Sequence, residues 1–385
     1  MDNVLQKDLD GLQVLGLRRG LRQTQSPQGR TIIVDGRRVL NFCSNDYLGL
    51  ADDEKVKAAA IASIGQDGFG SGASRLVGGN MSAHTALEER LAALKKTEAC
   101  LLFSSGYMAN TGIIPALVGR GDIVFCDRLN HASIIDGILL SRAQMKRYPH
   151  VDMAALEDGL KKASGHQRKL IVTDTIFSMD GDRAPLKDIV ELARRWGAWV
   201  MVDEAHAFGV LGPTGMGLVE ELRLSDQVQV QMGTLSKAAG CFGAYVCGSA
   251  VLKETLINHA RSFIYTTGMP PSVAAAAHAG VNIIVIEPGR RRQLLDNADH
   301  LRQGFKALGL DTMRSTTPII PILAGEADRA VMMSQKLFEQ GFFVQAIRPP
   351  TVPVNTARLR VTVTAAHTRE DCEAFLEAVK TICLF

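Results

Sequence analysis

The chain has 385 residues, of which 46% are hydrophobic and 22% charged, an ordinary globular composition long enough for one large domain and a smaller one. With 43 basic and 40 acidic residues the net charge is +3. That balance argues against a nucleic-acid binder, which shows a marked basic excess, and no run of like charges forms a tail.

Residues 1–20 predict a helix with leucines at 5, 9, 12 and 15; early acids and the lack of an apolar core exclude a visible secretory signal. TIIVDGRRVLNF predicts a hairpin around Asp35-Gly36. A short helix over 53–64 leads into the glycine-rich GFGSGASRLVGG. From residue 82, SAHTALEERLAAL places Leu87, Leu91 and Leu94 on one helical face. ACLLF, DIVFC, RKLIVTDTIF, AWVMVDE, VQVQM and AYVCG read as strands; GYMANTGIIPALV, ASIIDGILLSR and LKDIVELARRW read as helices between them. This alternation predicts an α/β fold with parallel strand pairing and helices on the sheet faces.

A long helical region spans roughly 250–308. Its most apolar stretch, SVAAAAHAGVNIIVIEP, is interrupted by His278 and Asn282 and ends at Pro288, which favours a packed helix over a membrane span. A smaller unit follows: PIIPIL, DRAVMMSQKLFEQ, FFVQAI, ARLRVTVT and EDCEAFLEAVKTI. The expected division is an N-terminal helix and hairpin over 1–45, a large domain over 46–285 and a small C-terminal α/β domain over 286–385. The seven cysteines (Cys43, Cys100, Cys126, Cys241, Cys247, Cys372 and Cys383) are odd in number and include no Cys-x-x-Cys. Buried free thiols in a reducing, cytoplasmic compartment are expected.

In open parallel sheets ligands bind beyond the carboxyl ends of the strands, and five polar features fall there. Asp203, ending WVMVDEAH, either caps the next segment or pairs with a cation. Ser105-Gly106-Tyr107 opens a helix whose free N–H groups favour a phosphate, or is an unliganded corner. His131 in LNHAS is structural or catalytic. Ser178 in IFSMDGD begins a turn or meets a ligand. In GTLSKAAG, Thr234 and Ser236 cap a turn or hold phosphate, and Lys237 is a surface lysine or an amine poised to attack a carbonyl. Together these ends supply a lysine, an acid, two histidines (His131 and His206) and phosphate donors, the set that pyridoxal 5′-phosphate chemistry requires. A lysine that must swing explains its small neighbours.

NDYLGL, SSGYMAN, NHAS, IFSMDGD, VDEAH, TLSK and RSFIYTTGMPP together resemble the α-oxoamine synthase family of fold-type I pyridoxal-phosphate enzymes, from Asn45 to the last helix. The resemblance implies a large, mostly parallel seven-stranded sheet domain with helices on both faces and a smaller α+β C-terminal domain. It implies Lys237 as the imine-forming residue, Asp203 on the pyridine nitrogen, His131 stacked on the ring, and His206 and Ser178 at its 3′-oxygen. Gly106, Tyr107 and Thr234 would approach the phosphate. Tyr265-Thr266-Thr267 would reach it from a second subunit, giving a homodimer with its active site at the subunit interface. Asn45 and Arg360 resemble the groups that receive the amino-acid carboxylate. Thr351 and either Arg19 or Arg22, with alignment favouring Arg19, resemble the acyl contacts.

Ser236, Ala73 and Asn355 stand where the family often has glycine; all are small or turn-tolerant. The segment IRPPTVPVNTARLRVTVTAAHT resembles family members that condense L-alanine with pimeloyl-CoA or pimeloyl-acyl carrier protein on the way to biotin, rather than glycine with an acetyl or succinyl thioester. The resemblance implies neither a nucleic-acid nor a membrane partner. A DEAH helicase is excluded by the lack of any Gly-Lys dipeptide for a phosphate loop. The glycines of GFGSG follow a predicted helix rather than a strand, against a dinucleotide fingerprint. The nine histidines show no metal-ligand spacing, so no metal is expected. The lysine that non-catalytic relatives lack is present as Lys237.

Overall fold

The computed structural model describes residues 1–383. The elements are, in order, α1 (Asp2–Val14), β1 (Thr31–Val34), β2 (Arg37–Asn41), α2 (Glu54–Asp67), α3 (Ser82–Lys95), β3 (Ala99–Phe103), α4 (Gly106–Leu117), β4 (Ile123–Asp127), α5 (Ala132–Ser141), β5 (Gln144–Tyr148), α6 (Met153–Lys162), β6 (Lys169–Asp174), α7 (Leu186–Trp196), β7 (Trp199–Asp203), α8 (Leu218–Leu222), β8 (Val230–Thr234) and β9 (Ala244–Gly248). Then come α9 (Ala250–His259), α10 (Arg261–Ile264), α11 (Pro271–Ile286), α12 (Pro288–Ala307), β10 (Ile319–Gly325), α13 (Ala327–Glu339), β11 (Phe342–Phe343), β12 (Gln345–Ile347), β13 (Ala357–Thr362) and α14 (Arg369–Cys383).

The chain divides into two compact units. One comprises Met1–Gly49, Met179–Asp182 and the chain from Arg292; the other comprises Leu50–Ser178 and Arg183–Arg291. The second unit holds the seven-stranded sheet, in the order β3-β9-β8-β7-β6-β4-β5. Only β9 runs against its neighbours, so the carboxyl ends of β3, β8, β7, β6 and β4 open on one edge. The strands inside the sheet are buried almost along their whole length because both faces are covered. On one face α4 packs on α5, and α9 and α10 pack on α4; α11 packs on α2 and α3.

Sequence periodicity misses β5 and α6. The β5 strand, QMKRY, is a sheet-edge strand with mostly solvated side chains, so it carries no apolar run. The long helical region is four helices. Residues 265–270 interrupt it, α11 starts with Pro271 in its first turn, and Pro288 opens α12. Among the described residues no single helix is long and apolar enough to cross a membrane.

In the first unit β1 and β2 form the expected hairpin, turning at Asp35 (φ 49°) and Gly36 (φ 78°), the left-handed pair a two-residue turn needs. FFVQAI is split. Its first half pairs parallel with β2, and its second half pairs antiparallel with β13, which lies between β10 and β12. Phe42 packs between His367 and Phe375, with ring centroids 4.2 Å away on each side. Cys100, Cys126, Cys247 and Cys372 are buried free thiols, as expected; Cys43 and Cys241 are free and half-buried. The Cys383 side chain lies outside the described residues.

Candidate active site

Strand register brings the polar groups of the second unit together. Asp203, at the end of β7, lies opposite Asp174 of β6 and Met232 of β8. The backbone N–H and the hydroxyl of Thr175 both donate to the Asp203 carbonyl, at 2.9 and 3.1 Å. The carboxylate is held as an acceptor: Oδ1 takes the Ala205 N–H at 2.9 Å, and Oδ2 takes the side-chain amide of Asn110 at 2.9 Å. His206 is buried on the turn that follows, and Ser178 is half-buried beyond β6.

Lys237 is half-buried in a tight loop between β8 and β9. Gly240 N–H donates to the Lys237 carbonyl at 2.9 Å, and Cys241 N–H donates to Leu235 O at 3.0 Å. The small neighbours of Lys237 have a packing cause alongside the expected room to swing. Ala238 and Ala239 are buried, and a Cβ at Gly280 of α11 would lie 2.4 Å from the Ala239 carbonyl oxygen. A Cβ at Gly240, whose φ is +67°, would lie 2.4 Å from the Leu50 carbonyl carbon. Thr234 serves the same turn, its hydroxyl reaching Gly243 O at 2.8 Å and accepting from Ser236 N–H at 3.2 Å.

Ser105 caps α4 by accepting the Met108 N–H at 3.2 Å, which leaves the N–H groups of Gly106 and Tyr107 at the helix start with no intrahelical acceptor. A Cβ at Gly106 would lie 3.2 Å from Met232 Cε and 4.0 Å from Thr234 Cβ, so this N-terminus stands beside the end of β8. The Tyr107 hydroxyl donates to Asp136. Thr267 lies on the exposed stretch after α10, lining a small hollow with Ser104, Arg75 and Phe263.

His131 caps α5, its Nδ1 accepting the Ser133 N–H at 3.3 Å and lying 2.7 Å from the Ser133 hydroxyl. Its ring reaches solvent, yet desolvation by the surrounding protein lowers its pKa. The Asp203 charge opposes that shift and Lys237 reinforces it, so all three groups share one electrostatic field. Asp174 accepts the His131 backbone N–H at 2.9 Å; burial and the neighbouring Asp203 charge raise its pKa well above the carboxylate range. Asn130 bridges to Val172 O at 2.7 Å and ties the histidine loop to β6.

In the first unit Arg360 of β13 donates to Asn45 Oδ1 at 3.1 Å and to the Thr362 hydroxyl at 3.0 Å. Burial raises the Tyr47 and Cys43 pKa values to about 12, with Arg360 opposing both shifts. Arg19 donates to the Thr351 hydroxyl at 3.2 Å. Arg22 is occupied elsewhere, on Gln335 at 3.2 Å, near Asp35 at 3.8 Å and over the Phe338 ring at 4.2 Å.

The residues present fit pyridoxal phosphate: an amine, a carboxylate held as acceptor, an accessible imidazole, and helix-start N–H groups beside a glycine whose missing Cβ leaves space. Sequence reading did not single out Asn110, Ser133 or Asp174. The first two lie inside the motifs SSGYMAN and NHAS, one turn and two residues beyond the residues that drew attention.

Residues 37–379 match the family model of aminotransferase class I and II. The chain is 53% identical over 377 residues to 8-amino-7-oxononanoate synthase of Geobacter sulfurreducens, covering 97% of this chain and 96% of that protein. A serine palmitoyltransferase from S. paucimobilis, solved with bound PLP–myriocin, superimposes with TM-score 0.93 at 31% identity, covering 98% of this chain and 96% of that one. The crystal structure of 8-amino-7-oxononanoate synthase from Francisella tularensis superimposes with TM-score 0.78 at 30% identity, covering 89% and 97%.

Proposed function

We infer the chemistry from one premise: this chain belongs to the aminotransferase class I and II family and, within it, to the 8-amino-7-oxononanoate synthases. The reaction is the acyl transfer of biotin biosynthesis, in which L-alanine condenses with a pimeloyl thioester to give 8-amino-7-oxononanoate, CO2 and the free thiol carrier. The observation that carries the assignment of residues is that Lys237, Asp203 and His131 stand at or just beyond the carboxyl ends of β8, β7 and β4 at one sheet edge, with Asn110 and Ser133 linking Asp203 to His131.

When bound, pyridoxal 5′-phosphate supplies an electron sink that makes the Cα–H of the amino acid acidic. Lys237 supplies the amine that fastens it and afterwards takes the Cα proton of alanine. Asp203, held as an acceptor, would take a hydrogen bond from the protonated ring nitrogen and keep the sink effective. His131 would cover the ring and direct a hydrogen bond at the oxygen of the new ketone, while His206 and Ser178 would hold the ring 3′-oxygen. The N–H groups of Gly106 and Tyr107 would hold the phosphate, joined by the Thr234 hydroxyl once it turns from Gly243 O. Arg360 and Asn45 receive the alanine carboxylate; Arg19 and Thr351 meet the acyl chain.

The proposed working form is a cytoplasmic homodimer in which Thr267 of each protomer reaches the phosphate held by the other. Two loops support this reading. They are stitched together by Gly268 N–H to Ala73 O at 2.9 Å and Ser71 hydroxyl to Met269 O at 2.5 Å, and they expose Phe69, Leu76, Val77 and Tyr265.

The test has two parts. Purified protein with cofactor should be yellow, with a band that alanine shifts and Lys237→Ala abolishes; a wild type that stays colourless with added cofactor refutes the assignment. Turnover of alanine and glycine against pimeloyl, acetyl and succinyl thioesters should favour alanine with pimeloyl; preference for glycine with a short thioester would move the chain to another activity of the same chemistry.

A further inference from the structure

Asn110 is fully buried on α4, and its two amide hydrogens are committed in different directions. One goes to Asp203 Oδ2 and one to the Ser133 hydroxyl, each at 2.9 Å. Its orientation follows from its neighbours, because a carboxylate oxygen takes only a donor. Its own carbonyl oxygen, Oδ1, is buried without a partner. A purely structural asparagine does not ordinarily leave one end of its amide unsatisfied, because a buried unpaired acceptor costs stability. With its oxygen taken by the Asn110 donor, the Ser133 hydroxyl turns its proton to His131 Nδ1, 2.7 Å away, which also accepts the Ser133 backbone N–H. Nδ1 is therefore an acceptor, and the neutral ring carries its proton on Nε2.

We propose that Asn110 is a positioning residue whose single side-chain amide aligns both arms of the cofactor site, Asp203 directly and His131 through Ser133. The proposal rests on the functional reading above and deepens it. Asp203 keeps its remaining oxygen lone pairs for the ring nitrogen, and His131 presents Nε2–H as a donor. Both orientations are fixed before any ligand arrives, so neither side chain has to reorganise during the reaction.

The test compares wild type, Asn110→Leu and Ser133→Ala with three measurements: PLP affinity from absorbance titration, side-chain 15N spectra of the cofactor-free proteins with His131 assigned through His131→Gln, and kcat and KM for alanine. Asn110→Leu should weaken PLP binding about tenfold and lower kcat by roughly 10–100-fold, by analogy with the partners that orient metal ligands. It should also move the His131 nitrogen resonances. Ser133→Ala should move the same resonances with PLP affinity held near wild type, because it cuts only one arm. Wild-type resonances and PLP affinity in Asn110→Leu overturn the proposal. Should that variant not fold, Ser133→Ala decides, and unshifted His131 resonances overturn it. Wild type that takes up no PLP overturns the functional reading instead, and the proposal with it.

Discussion

Lys95 and Glu204 form an ion pair sealed from solvent, their side chains 1% and 0% exposed, one residue along from Asp203. Lys95 also donates to Met216 O at 2.7 Å, and Glu204 accepts the Val219 N–H at 3.0 Å. A Cβ at Gly217 would lie 2.4 Å from Glu204 Oε1, so the pair and the segment around it are packed without slack. The turn that presents the Asp203 carboxylate is therefore anchored by its next residue.

Breaking that pair on one side leaves a buried charge alone. Lys95→Met should destabilise the protein by about 3–5 kcal/mol, and Lys95→Met combined with Glu204→Leu by less than Lys95→Met alone. Urea unfolding of both variants checks this; a double variant worse than the single one contradicts it.

Gly280→Ala reverses the usual helix rule. On a solvated helix the change would stabilise by up to about 1 kcal/mol. Here the added Cβ meets the Ala239 carbonyl oxygen at 2.4 Å, so a net loss of roughly 1–3 kcal/mol is expected. Because Ala239 is two residues from Lys237, cofactor affinity should fall as well. Thermal unfolding with and without PLP measures both effects.

The arginines should separate kinetically. Arg360→Lys should raise KM for alanine about tenfold or more, since a single ammonium cannot reproduce a bidentate guanidinium. Arg19→Ala should raise KM for the pimeloyl thioester while leaving alanine little affected. Arg22→Ala, which removes contacts to Gln335, Asp35 and Phe338, should leave both KM values near wild type. Steady-state kinetics of the three variants decide whether Arg19 or Arg22 meets the acyl chain.

His367 makes stability depend on acid. Burial lowers its pKa from the ordinary 6.5 to about 4, and its Nδ1 accepts the Thr364 N–H at 3.0 Å. Between those values the unfolded chain binds a proton that the folded one refuses, so stability falls as pH drops through 6.5 and stops falling near 4. The loss is at most about 3 kcal/mol. His367→Gln should flatten urea midpoints across that window; an unchanged slope would assign the effect to other groups.

The sequence by itself determined six of the seven strands of the sheet, most of its helices and the chemical inventory of the site. Apolar runs, helical spacing and the dipeptides at strand ends are local, and Asp203, His131 and Lys237 each stand at a local break in such a pattern. Only the tertiary structure decided who meets whom. Asn110 reaches Asp203 across 93 positions, Arg360 reaches Asn45 across 315, and Arg19 rather than Arg22 finds Thr351 across 332. It also added one constraint: α11 and Leu50 pack against the alanines and glycine around Lys237. Local spacing is written into a strand or helix by its own periodicity. Contact between distant side chains is fixed by strand register and helix packing, whose geometry no short stretch of sequence contains.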